Sequence, residues 1–236
     1  INTELILSDL SIVEKLYQKA QKNTKSGQKE GMPMKELVEK ILTALKEGTS
    51  LRKLTFGKEE LVLLKNFQLL TLKPVLYVAN VNESGFENNP HLDLILDYAT
   101  QDHSKVVPIC AEIEAEICEL SNDEKKEFLL EMGQNESGLD RLIKAGYDLL
   151  GLHTYFTAGE KEVKAWTITV GDSAPVAAGK IHTDFEKGFI RAETISFQDY
   201  IDYKGEKGAK DAGKLRTEGK DYVVKDGDIM HFLHNT

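Results

Sequence analysis

The 236-residue sequence has two cysteines, one tryptophan and five prolines, and no surplus of positive charge. Cys110 and Cys118 lie eight residues apart on separate expected elements, so a reduced, cytoplasmic setting is expected rather than a disulfide. No apolar run approaches the about 20 residues of a membrane-crossing helix, so no membrane association is expected. No signal-peptide pattern opens the sequence. His91 and His103 have no partner at metal-ligand spacing and read as surface residues. With 30 Lys/Arg against 39 Asp/Glu, the net charge of −9 argues against a general nucleic-acid coat protein.

What is present is ordinary for a soluble protein: 41% hydrophobic and 29% charged residues, in a length that allows one large domain or two small ones. The charge is unevenly spread. Residues 1–72 carry 12 Lys/Arg and 9 Asp/Glu, residues 73–150 carry 6 and 16, and residues 151–236 carry 12 and 14. The acidic load sits in the middle, and only the N-terminal part is net positive.

That N-terminal part reads as two helices. Ile6, Leu10, Val13, Tyr17 and Ala20 recur in the four-three spacing of a heptad seam, and Met34, Val38, Ile41 and Leu45 repeat it. Between them the polar stretch 23–31 breaks the pattern, Pro33 suits a first helical turn, and Gly48 suits a stop. An antiparallel hairpin is expected, with Lys15, Lys19, Lys22, Lys25 and Lys29 towards its tip; a plain core helix pair is the alternative. Leu61–Leu70 reads as a further helix that returns the chain to a strand.

That strand organises the rest. Pro74 disfavours helix just before it. Val75, Leu76, Tyr77, Val78 and Ala79 form the short apolar run of a buried central strand. It ends in Asn80-Val81-Asn82-Glu83, and open α/β sheets bind ligands at the carboxyl ends of their strands. GTP-binding proteins carry Asn-Lys-x-Asp at such a place, where the Asp carboxylate accepts from two donors of guanine. Here Val81 replaces the Lys, and Glu83, one methylene longer, replaces the Asp, which should relax a guanine preference. The bland reading is a strand end without a ligand. The next strand is expected over Lys105–Glu112 and ends at Cys110-Ala111-Glu112.

Acidic helices are expected over Ile113–Leu120 and Asp123–Met132, the latter opened by a Ser121/Glu124 capping box. A helix over Gly138–Leu150 places Leu139, Leu142, Ile143, Tyr147 and Leu150 along one stripe. Gly151–Ala158 reads as a linker. Strands are expected at Glu162–Val170, Phe189–Ile195, Lys220–Val224 and Ile229–Leu233, the last two around an Asp-Gly turn. Ser196–Tyr203 and the stretch 205–213 read as short helices or turns. His182 and Asp184 have no nucleophile beside them and read as turn residues; Trp166 and Phe189 sit in alternating strands and read as core.

The runs ANVNESGFENNPHLD and IHTDFEKGFIRAETISFQDY, within 79–93 and 181–200, resemble the YchF/Obg-like ATPase family, and the resemblance covers nearly the whole chain. It implies an α/β protein in three parts. Residues 1–72 would be a helical arm inserted in the nucleotide domain, 73–150 the C-terminal half of a Ras-like P-loop domain, and 151–236 a β-grasp domain of the TGS type. It implies that Asn80, Val81 and Glu83 read a purine base, backed by the Cys110-Ala111 backbone. ATP with Mg²⁺ is the implied nucleotide, with GTP as the open alternative. The implied partners are the ribosome, through its large subunit, and RNA. No G-x-x-x-x-G-K-[ST] occurs in the sequence, so the phosphate and Mg²⁺ half of the site is not expected in these residues, which read as part of a longer protein. An inactive docking module is the competing reading.

Overall fold

The computed structural model describes residues 1–25, 32–159 and 162–235. The chain divides into two compact units, Ile1–Ala145 and Gly146–Thr236.

The first unit opens with α1 (Asn2–Lys25) and α2 (Met32–Lys46). The expected seam is their contact surface: Ile6, Val13, Ala20, Val38, Ile41 and Leu45 are buried. α2 stops where Gly48 takes a φ of +76°, a conformation glycine adopts freely. Most of the expected polar tip, with Lys29, lies outside the described residues, as does the Lys25 side chain. The seam is not left alone at its base. Leu51, in a short turn at Leu51–Lys53, Leu64 of α3 (Lys58–Lys65) and Leu69 complete the same core. Each such burial contributes about 1.5–3 kcal/mol. Asp9 is buried within this packing; its carboxylate accepts from the Leu70 and Thr71 N–H groups and from the Thr71 hydroxyl, at 2.7–2.9 Å.

The chain then enters β1 (Leu76–Asn80), crosses through α4 (Pro90–Gln101), and returns as β2 (Lys105–Ile109), parallel to β1, with Asn80 opposite Ile109. The strand begins one residue later than expected and is not buried on both sides: Val78 is 46% exposed. β2 is shorter than the Lys105–Glu112 expectation, because Cys110 already N-caps α5 (Ala111–Glu119). α6 (Asn122–Glu131) follows, its start fixed by the Ser121 N–H donating to Glu124, 2.9 Å. In α7 (Gly138–Leu150) the apolar stripe remains open, with Leu139, Ile143, Tyr147 and Leu150 all exposed.

The second unit is built on five strands in the order β4-β3-β7-β5-β6: β3 (Leu152–Ala158), β4 (Val163–Thr169), β5 (Phe189–Ser196), β6 (Arg216–Glu218) and β7 (Asp228–His234). The expected linker 151–158 is therefore a strand, paired with β4 along its length and with β7 at Phe156–Ile229. Its Thr and aromatic content suits a sheet. The strand expected at Lys220–Val224 is instead irregular, touching Ser173 through a single bridge at Val223, and the β5 partner is Arg216–Glu218.

α8 (Ala174–Ile181) covers one sheet face through Ala174, Ala177 and Ala178. These small side chains let the helix backbone approach, and the buried Tyr155 donates its hydroxyl to the Ala177 carbonyl at 2.8 Å. Phe189 belongs to this core, as expected, and the half-buried Trp166 packs against it. α9 (Thr183–Lys187) is capped by His182, whose Nδ1 accepts from the Asp184 N–H at 3.2 Å, a structural duty for both residues. α10 (Phe197–Asp202) and α11 (Glu206–Asp211) complete the unit. Among the described residues no helix is long and apolar enough to cross a membrane.

Candidate nucleotide-base site

Parallel pairing continues one step past β1, where the Val81 N–H donates to the Ile109 carbonyl at 2.8 Å. That step places the two strand ends side by side. The Asn80 side-chain Oδ1 then accepts from the Ala111 N–H at 3.1 Å, tying the β1 loop to the first residue of α5. Asn80 and Ala111 are exposed and Val81 is half-buried, so this junction borders solvent.

Cys110 has a different role from its neighbour. Its thiol is buried among Ile113, Ile117 and Leu129, with Phe86, Phe128 and Met132 packed around them. It anchors the turn, while the Ala111 backbone faces Asn80. Both cysteines are free.

Glu83 stands apart from this junction. It is exposed, and among the described residues no hydrogen bond links it to Asn80 or Ala111. It lines a polar cleft of about 370 Å³ together with Ser84, Phe86, Met132 and Gln134. The loop carrying it is held at both ends. The Gly85 N–H donates to the Asn82 carbonyl at 2.9 Å, and a side chain on Gly85 would collide with the Asn82 amide. Asn89 donates to the Gly85 carbonyl at 3.0 Å and N-caps α4 by accepting from His91 and Leu92.

Chemically, the junction offers an edge of hydrogen-bond donors. Asn80 Nδ2 has no protein partner among the described residues and can donate. Cys110 provides no side-chain cap, so the first-turn N–H groups of α5 at Glu112 and Ile113 are open to an acceptor. A planar ring bearing acceptors, such as the ring nitrogens of a purine, matches such an edge. Among the described residues no group of three or more His, Cys, Asp or Glu could hold a metal ion.

The residues behind the site carry no motif. Tyr77, three positions before Asn80, donates its hydroxyl to Asp102 Oδ2 at 3.1 Å. Asp102 is fully buried at the end of α4 and receives Arg52 Nε at 2.7 Å, with Lys53 at 3.7 Å from its other oxygen. Burial alone would raise the Asp102 pKa, but the Arg52 hydrogen bond and charge bring it below the usual carboxylate value. On the β2 side, Glu114 caps α7 by accepting from Gly138 and Leu139, and Arg141 reaches the Pro108 carbonyl at 3.4 Å. No sequence signal joins Arg52 to Asp102, 50 residues further on.

Carboxyl ends of parallel strands, where Asn80 meets the Ala111 backbone, are the place at which open α/β sheets bind ligands. Comparison with known proteins adds to this. Residues 152–235 match the family model YchF-GTPase_C, described as "Protein of unknown function (DUF933)". The chain is 57% identical over 235 residues to the "Ribosome-binding ATPase YchF" of Escherichia coli O157:H7, covering all of this chain and 65% of that protein. It is 49% identical over 238 residues to the protein of the same name from Bacillus subtilis (strain 168), with the same coverage. The solved structure of the Schizosaccharomyces pombe YchF GTPase superposes with a TM-score of 0.86 at 34% identity, over 99% of this chain and 64% of that one. A GTP binding protein from Pyrococcus horikoshii OT3, at 17% identity and a TM-score of 0.57, shares the fold. The chain is similar to YchF proteins over its whole length, and it spans 65% of the length of the curated relatives it matches.

Proposed function

We propose that this chain is the base-reading and docking portion of a ribosome-associated nucleoside triphosphatase that uses ATP. The observation carrying the reading is the Asn80 Oδ1 to Ala111 N–H bond, which fixes two strand-end loops as one edge. Asn80 braces this edge and offers its amide donor, Val81 packs against the ring, and the α5 N-terminus donates to the far side through backbone N–H groups. Glu83 lines the neighbouring cleft and, among the described residues, forms no hydrogen bond to this edge, which would relax a preference for guanine. When bound, Mg²⁺ would neutralise phosphate charge; its ligands and a phosphate loop would lie outside the residues of this chain.

The names borne by the relatives support ATP hydrolysis and ribosome binding, with the large subunit as the proposed contact. The strand order β4-β3-β7-β5-β6 supports a β-grasp, TGS-type reading of the second unit. The packed pair α1 and α2 supports an arm, which would present Lys15, Lys19 and Lys22, all exposed, to RNA.

The test uses a protein of the relatives' full length. Changing Glu83→Asp and Val81→Lys together should shift relative affinity from ATP towards GTP. An unchanged ratio removes the local account of base choice, and a strong GTP preference before mutation selects the GTPase alternative. Charge reversal at Lys19, Lys22 and Lys25 should weaken ribosome co-sedimentation; unchanged sedimentation takes the arm out of the contact. The absence of G-x-x-x-x-G-K-[ST] favours a second reading for the chain by itself, a docking module that binds nucleotide weakly and does not turn it over.

A further inference from the structure

The five-stranded sheet has two edges, and they end differently. β6 is three residues long and carries an ion pair along it, Arg216 to Glu218 at 3.7 Å. Short, charged edge strands are how sheets avoid pairing with other chains. β4 runs for seven residues, with no proline and no register shift against β3. Its one charge is Lys164, whose ammonium lies over the Trp166 ring, 4.1 Å from the centroid.

The register fixes which rungs of β4 are open. At one end of the β3–β4 pair the Val170 N–H donates to the Gly151 carbonyl at 2.8 Å, and at the other the Gly159 N–H donates to the Glu162 carbonyl at 2.9 Å. Only alternate residues of an antiparallel pair bond across it. Lys164, Trp166 and Ile168 therefore face β3, while Val163, Ala165, Thr167 and Thr169 direct their N–H and C=O groups away from it. The same alternation on β3 turns Thr154 to its other side, where its N–H donates to Asp226 and its carbonyl accepts from Gly227. β4 has no such second neighbour. The Thr169 N–H is taken by Asp172 Oδ2 at 2.9 Å. Val163, Ala165 and Thr167 are exposed, Val163 by 72%, and their rungs stay open.

A donor and an acceptor recurring every second residue, about 6.8 Å apart, match the backbone of another extended chain. A helix, a phosphate or a base offers no such repeat. We propose that β4 takes an added strand from a protein partner, whose segment alternates β-branched residues with at least one acid. Its β-branched side chains would lie beside the small, uncharged Val163 and Ala165 on one face of the sheet. The acid would meet Lys164 on the other face, a lysine that forms no ion pair among the described residues.

The probe is a nine-residue peptide in which valine alternates with threonine and aspartate. Added to the chain, it should slow amide hydrogen exchange at Val163, Ala165 and Thr167 at least about tenfold, while Lys164, Trp166 and Ile168 are protected with or without it. The same peptide with alternate backbone nitrogens methylated should bind at least about tenfold more weakly. Ala165→Pro removes an outward N–H and no bond to β3, so it should weaken binding to the same extent. Val163→Lys adds charge to the open edge and should do likewise; its side chain stands in solvent, so this variant serves if the proline variant fails to fold. Equal affinity for the methylated peptide, unchanged affinity in Val163→Lys, or exchange slowed only outside β4 overturns the proposal. So does self-association of the chain that Val163→Lys abolishes while the peptide stays unbound, because the edge then serves a second copy. A protein of the relatives' full length that ignores the peptide overturns it too, because the edge is then covered.

Discussion

The two-stranded sheet and the five-stranded sheet begin from similar sequence signals and reach different states. Both contain short runs of β-branched and aromatic residues. In the second unit the run around Tyr155 has neighbours on both sides and an alanine-faced helix above, and Tyr155 is fully buried. In the first unit β1 has one partner strand, and Val78 in the middle of its most apolar run stays 46% exposed. The exposed stripe of α7 shows the same thing. A strand's sequence states what it could bury; the number of layers around it decides what it does bury.

What holds the first unit is therefore different in kind. Its larger apolar cluster lies in the helical part and a smaller one surrounds Cys110, while buried polar groups tie distant segments together: Asp9 on the Leu70-Thr71 backbone, and Arg52 with Tyr77 on Asp102. The second unit depends on one closed core with a polar lock at its edge, where Tyr222 donates to Asp228 at 2.7 Å.

The sharpest break of this comparison is Arg52→Met. It leaves the Asp102 carboxylate buried without its main partner, and the first unit should lose about 3–5 kcal/mol. Far-UV circular dichroism should report the loss. Trp166, the sole tryptophan and packed against the second core, should keep its fluorescence transition; a joint shift would show that the units unfold as one. The pH dependence should change too. Because the folded Asp102 pKa is depressed, its contribution is present above the unfolded value of about 3.9 and disappears as pH falls through the folded value. The variant should lose that acid-side dependence.

Asp9→Ala should come next, at about 3 kcal/mol, because two backbone N–H groups and a hydroxyl lose their acceptor. Urea unfolding followed by circular dichroism measures it, and again the tryptophan signal should not move. In the second unit Tyr222→Phe should cost about 1–2 kcal/mol. Burial, reinforced by Asp228, pushes the Tyr222 hydroxyl up to about 12. The neutral phenol is thus favoured by folding, so its contribution is complete below about pH 10 and is lost as pH rises towards the folded value. The variant should flatten stability in that window, read by Trp166. Tyr155→Phe should be the smallest, at about 1 kcal/mol for the hydroxyl bond to Ala177, since the ring still fills the core.

The heptad seam of α1 and α2, the β1 and β2 strands, the helix stop at Gly48 and the Ser121 start of α6 were legible because each depends on neighbours close in sequence. The 152–158 strand was not, since Gly151 and a run of half-polar residues look like a linker until β4 and β7 pair with them. At the candidate site, the structure joins Asn80 and Ala111, two residues that the resemblance had named together. That Cys110 turns inward and Glu83 turns towards a second cleft depends on α5 beginning immediately after β2, which the sequence reading had extended as strand. Asp9, Arg52 and Asp102 are separated by tens of residues, and no local pattern joins them.

The central claim is that the clasp between Asn80 and Ala111 forms an edge for a purine. Amide NMR of this chain during titration with adenosine tests it without phosphates or metal. Shifts should appear at the Asn80 side-chain amide, Val81, Ala111 and Glu112, and leave residues 152–235 unmoved. Shifts confined to other residues, with the Asn80 and Ala111 signals unchanged at saturating adenosine, would contradict it.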